Sequence, residues 1–106
     1  MESLMKMRCV LALAPLLFAC LTHSASAADP AHGEAAVKRW CAGCHLVGPG
    51  QTSSTEAPPF STIAKRPDFD AAKVAFFLLE PHPKMPNMQL TRAEAADIAA
   101  YIATLK

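Results

Sequence analysis

The chain has 106 residues, 52% of them hydrophobic and 18% charged, with a formal net charge of +1. That length holds one domain, and a charge balance so near zero argues against nucleic acid as a partner, because no long-range field exists to gather phosphates.

Residues 1–27 read as a secretory signal. Lys6 and Arg8 make a basic start, Cys9 to Leu21 is a 13-residue apolar run, and Ala25-Ser26-Ala27 is a small-x-small cleavage site. Thirteen residues interrupted by Pro15 fall short of the roughly 20 that span a bilayer as a helix. Cleavage after Ala27 is the first choice and after Ala28 the second. Two alternatives stay open: an uncut, marginal anchor, or lipidation of Cys20 within Leu17-Phe18-Ala19-Cys20, where Phe18 is larger than such signals usually allow. Removal leaves a domain of residues 28–106, 79 in all, with eight basic and eight acidic side chains. Cys41 and Cys44 are then the only thiols, and in the oxidising periplasm an idle vicinal pair closes to a disulfide. A core this small is often stapled by a metal, a disulfide or a cofactor.

Three segments of the mature chain carry helix signals and none carries a convincing strand pattern. The first runs from about Pro30 to Cys41, with Asp29 as N-cap and Pro30 at the first helical position. Its alanines, Val37 and Trp40 make the apolar face. A Gly-, Pro-, Ser- and Thr-rich loop follows from Leu46 to Pro59, and "FSTIAKR" after it suits a short helix. The second main helix runs from about Asp68 to Leu79, capped by Asp68 or Asp70, stopped by Pro81 and apolar on most sides. "PHPKMPN", residues 81–87, holds three prolines and is extended and stiff. The last helix opens on a capping box of Thr91 and Glu94. Ala95, Ile98, Ile102 and Leu105 form its stripe with Ala99 beside it, and Lys106 complements its C-terminal dipole.

"RWCAGCHL", residues 39–46, suits three chemistries. A redox dithiol often has a tryptophan before its first cysteine, but it sits at a helix N-terminus after a strand, where the dipole lowers the thiol pKa. Here the preceding segment is helical. A structural zinc site needs four ligands; beyond the two thiols only His32, His45 and His82 are at hand, and no second pair has ribbon or finger spacing. Cys-x-x-Cys-His is also the attachment pattern of haem c, in which Cys41 and Cys44 form thioethers and His45 ligates the iron. Met85 suits the sixth position. It lies 40 residues after His45, before Pro86, in the stiff loop preceding the last helix. Its soft, neutral thioether favours reduced iron, whereas Met88, without the proline flank, reads as packing.

"CAGCH" with Gly33 eight residues before it, "APPF", "MP" and the final "LTRAEAADIAAYIATL" together resemble the class I c-type cytochromes, over residues 30–106. The resemblance implies an all-α cytochrome c fold, with three main helices and a short one wrapped around one covalent haem. It implies covalent attachment at Cys41 and Cys44, iron ligation by His45 and Met85, and the Pro58 carbonyl as acceptor for the His45 Nδ1 proton, with Pro59 as the neighbouring register. Gly33 would let the first helix cross the last near Ile98 or Tyr101, although Val37 stands where the family often has an aromatic. The implied protein is a monomeric periplasmic one-electron carrier, not an enzyme, with an oxidase, reductase or dehydrogenase as redox partner and only transient membrane contact unless the signal is retained or Cys20 lipidated. A haem subunit or sensor with a labile sixth ligand, and a thiol–disulfide oxidoreductase, are the alternatives.

Other residues take blander expectations. His82 reads as an exposed turn residue rather than a haem-propionate contact, and Asn87 as a turn residue rather than a partner of the Met85 sulfur. Trp40, Phe60, Phe76 and Phe77 read as core, with lining of the haem as the alternative and Trp40 as packing beside it, and Lys65, Lys73 and Lys84 read as solvated surface rather than a ring at the haem edge.

Overall fold

The computed structural model describes residues 26–52, 56–80 and 82–106. The export signal expected over residues 1–27, with Cys9 and Cys20, lies outside them except for its last two residues, and so does the helix stop expected at Pro81. Among the described residues the structure is helical, without strands: α1 (Pro30–Trp40), α2 (Phe60–Ala64), α3 (Ala71–Leu79) and α4 (Arg92–Ala103). None of these helices is long and apolar enough to cross a membrane.

Three of the four helices begin where a side chain satisfies their orphan N–H groups, whereas α2 starts after Pro59 without one. The Asp29 carboxylate accepts from Ala31 and His32 at the start of α1. Asp70, rather than Asp68, caps α3 through Ala72 and Lys73. It wins by position, since its extended backbone aims the carboxylate at the first turn. The capping box of α4 is complete: Glu94 N–H donates to Thr91 Oγ1 at 3.1 Å and Thr91 N–H to Glu94 Oε2 at 2.8 Å. That helix ends at Ala103, so Lys106 lies past its last turn and sits over the Phe69 ring, 5.1 Å from the centroid. The expected dipole role of Lys106 therefore gives way to a cation–π contact.

α1 packs across α4, with α3 and α2 against α4 as well. The crossing is made at Gly33. A Cβ there would run into the backbone of α4, overlapping the Asp97 carbonyl and standing 3.0 Å from Ile98 N. Val37, Cys41, Val47, Phe60, Ala64, Ile98, Tyr101 and Ile102 form the core, in which Val37 and Ile98 are wholly enclosed. Each large aliphatic side chain so enclosed contributes about 1.5–3 kcal/mol. Trp40, expected in the core, is 49% exposed, because α1 ends at that residue and the chain turns inward only at Cys41.

Asp97 closes the crossing a second time. Its carboxylate accepts the Asp29 N–H at 2.7 Å and meets His32 Nδ1 at 2.6 Å. The bond to Asp97 raises the His32 pKa, and the Asp29 N–H, then His32, lower that of Asp97.

Gly33→Ala is expected to destabilise the protein by about 1–3 kcal/mol, since overpacking against backbone outweighs alanine's helix preference; denaturant midpoints measure it. The His32–Asp97 pair sets a pH window. His32, its pKa raised, stabilises fully below its ordinary 6.5 and loses this as pH rises through the raised value. Asp97, its pKa lowered, stabilises above its ordinary 3.8 and loses this as pH falls through the lowered value. The pair contribution is thus greatest between those two values. Thermal melts should show wild type losing its advantage over His32→Gln as pH rises above 6.5 and through the raised His32 value.

Candidate functional site

The site is built on the C-terminal end of α1. Cys41 caps that helix, its N–H bonding the Val37 carbonyl at 2.9 Å. The Cys41 carbonyl then accepts from Cys44 N–H at 3.2 Å and His45 N–H at 2.9 Å, so "CAGCH" folds as one tight turn on the helix end. Cys41 is buried in the core, Cys44 exposed and His45 buried, with its ring tilted against Phe60 at 4.8 Å between centroids.

His45 donates through Nδ1 to the Pro58 carbonyl at 2.7 Å, which places Pro58, not Pro59, in register. The acceptor is tied to the same turn, because Ala57 N–H bonds the Cys44 carbonyl at 3.1 Å and Phe60 N–H the Leu46 carbonyl at 2.9 Å. Imidazole orientation follows from this bond, and Nε2 has no hydrogen-bond partner among the described residues.

The thiols are poor nucleophiles. Burial pushes Cys41 up to about 11. The Cys44 pKa is also raised, first by its bond to Glu56, whose Oε2 accepts from Sγ at 3.6 Å. A working dithiol needs a lowered thiol pKa at a helix N-terminus, and here both directions are opposite. A closed zinc site fares no better: no three His, Cys, Asp or Glu side chains converge among the described residues.

Met85 and Met88 are both half-buried in the segment between α3 and α4. Asn87 forms a turn, its side chain accepting the Gln89 N–H at 3.0 Å where Gln89 adopts φ 51°. Lys65, Lys73 and Lys84 are exposed. Phe60 is core, but Phe76 and Phe77 are 63% and 46% exposed, against expectation. α3, apolar in eight of its nine residues, buries none of them. His82 is half-buried rather than an exposed turn residue: it packs edge-on against Phe77 at 4.5 Å, and its enclosed Nδ1 has no partner among the described residues.

Sequence reasoning missed three residues that shape the site. Gln51 bonds the backbone at residues 42, 45 and 47, and Tyr101 donates to the Val47 carbonyl at 2.6 Å. Glu56 meets Cys44. Only Tyr101 carried a signal, as an aromatic with a polar tip three residues beyond Ile98 on the buried stripe of α4.

A helical chain that turns Cys-x-x-Cys-His off a helix end, with the histidine buried and oriented by a backbone carbonyl, has the architecture of a covalent haem protein. A family model described as cytochrome c oxidase, cbb3-type, subunit III, matches residues 28–102. Cytochrome c-552 of Bradyrhizobium diazoefficiens is 54% identical over 92 residues, covering 86% of this chain and 88% of that protein. No solved structure matches. The chain belongs to this family of c-type cytochromes: it has the all-α cytochrome c fold, carries covalent haem c with its iron, and serves electron transfer. Its residues fit that group. The unburied apolar surface of α3 and the enclosed, unpartnered Nδ1 of His82 suit a broad apolar ring bearing polar substituents.

Phe60→Ala removes the wall behind the His45 ring as well as a core side chain. It should cost about 3–5 kcal/mol, read from chemical denaturation of the purified protein.

Proposed function

We propose that the protein is a periplasmic one-electron carrier in which Cys41 and Cys44 would hold the haem as thioethers, and His45 and Met85 would ligate its iron. The observation that carries this is the 2.7 Å bond from His45 Nδ1 to the Pro58 carbonyl, in a buried histidine directly after the second cysteine. Bound haem supplies a ferric–ferrous couple. Around it, the chain's own groups set the conditions. The Pro58 carbonyl draws on the Nδ1 proton and makes Nε2 a stronger donor. The Met85 thioether favours the reduced state and raises the potential. Phe60, Val47 and Cys41 keep water from the His45 side.

Export through the signal at residues 1–27 agrees with haem c chemistry, which takes place outside the cytoplasm, and leaves a mature domain of residues 28–106. The redox partner is an oxidase, reductase or dehydrogenase. The carrier acts as a free monomer. The family's description favours a second reading, as a subunit of a terminal oxidase. Purification separates them: a carrier is released with the periplasm as a monomer, and a subunit stays with the membrane complex.

A pyridine haemochrome spectrum of periplasmically expressed protein should show two saturated thioether positions, and haem extractable into acid acetone would refute covalent attachment. Met85→Ala should lower the reduction potential, abolish the methionine-to-iron charge-transfer band and open the iron to cyanide. If Met88→Ala alone does so, the ligand is Met88.

A further inference from the structure

The turn that carries Cys44 and His45 is held by one side-chain amide. Gln51 Oε1 accepts the Val47 N–H at 3.0 Å, and Gln51 Nε2 donates to the carbonyls of Ala42 and His45, each at 3.0 Å. The acceptor and both donors of the amide are thereby spent on one six-residue segment. The Val47 carbonyl in turn accepts from the Tyr101 hydroxyl at 2.6 Å, a buried bond that ties the same segment to α4. Gly50, at φ +85°, precedes Gln51 and supplies a left-handed backbone that side chains rarely adopt.

We propose that Gln51 is a positioning residue for His45, holding residues 42–47 as one rigid unit so that the imidazole keeps its Nδ1 proton on the Pro58 carbonyl. The inference rests on His45 being the iron ligand proposed above. The acceptor side of that bond is anchored through Ala57 and Phe60 to the carbonyls of Cys44 and Leu46. Donor and acceptor are thus mounted on the same turn, and their separation varies only as that turn flexes. Gln51 spans it from the carbonyl of Ala42 to the N–H of Val47. Buried polar networks of this kind stiffen when every member is satisfied and loosen when one is removed. A lengthened Nδ1 bond makes Nε2 a weaker donor to ferric iron, so a loosened turn raises the potential.

The test uses the haem-loaded protein with Gln51→Ala and Gln51→Met. The second variant keeps the length and neutrality of the side chain but loses the acceptor and both donors, so it stands in if the first fails to fold. Both are expected to retain covalent haem and to shift the potential in the positive direction. Exchange of the His45 Nδ1 proton, followed by NMR, should quicken about tenfold, the equivalent of one ordinary hydrogen bond. Tyr101→Phe should shift the potential the same way, and combined with Gln51→Ala it should move it by less than the two single shifts added. Potential and exchange unchanged in a Gln51 variant that still carries covalent haem, even with a lower melting temperature, would make Gln51 a stabilising residue only and overturn the proposal. Wild-type haem that extracts into acid acetone overturns the haem reading first, and this proposal with it.

Discussion

The close approach of α1 to α4 at Gly33 is the constraint on which the rest of the structure depends. With only hydrogen at that position, α1 lies against the backbone of α4 beside Asp97 and Ile98. Val37, one turn further along α1, is then fully enclosed, and Cys41, one turn beyond that, enters the core. The chain leaves the helix end already directed inward. His45 is therefore delivered to a buried position by the helix crossing rather than by its own packing. A larger residue at position 33 would displace the origin of that whole line.

From that anchor the turn at residues 41–47 is fixed at three more points. Pro58 receives the His45 Nδ1 proton, Tyr101 donates to the Val47 carbonyl, and Gln51 bridges the backbone between them. None of these bonds is strong alone, since a typical one contributes about 0.5–1.5 kcal/mol net. Their value lies in direction: as the iron ligand proposed above, a buried imidazole whose ring plane is already set would need no rearrangement when the charge on the metal changes.

α3 shows the opposite balance. Its residues are as apolar as any in the chain, yet the protein alone buries none of them. In a chain of this size the polypeptide cannot cover every apolar surface, and a prosthetic group completes the core. Phe76, Phe77 and the enclosed Nδ1 of His82 belong to that incomplete side. Of the two readings open to these aromatics, ordinary core and lining of the haem, their exposure agrees with the second.

Local physics made much of this legible. Capping aspartates, the Thr91–Glu94 box, the prolines and the 3.6-residue stripes specify four helices, because each signal acts within one turn. The Cys-x-x-Cys-His pattern names its chemistry for the same reason: its members are neighbours in the chain. What depended on residues far apart was not readable. Pro58 against Pro59 was decided by which carbonyl reaches Nδ1 across 13 residues, and Gln51 looked like any polar residue of a Gly- and Pro-rich loop. Asp97 showed no sign of bonding Asp29 and His32 from the far end of the chain. Sequence by itself therefore determined the helices, the haem-attachment motif and the family, whose evidence is local and additive. Only the tertiary structure decided the orientation of His45, the raised thiol pKa values and the brace around the turn, since hydrogen-bond partners and burial come into being when distant segments meet.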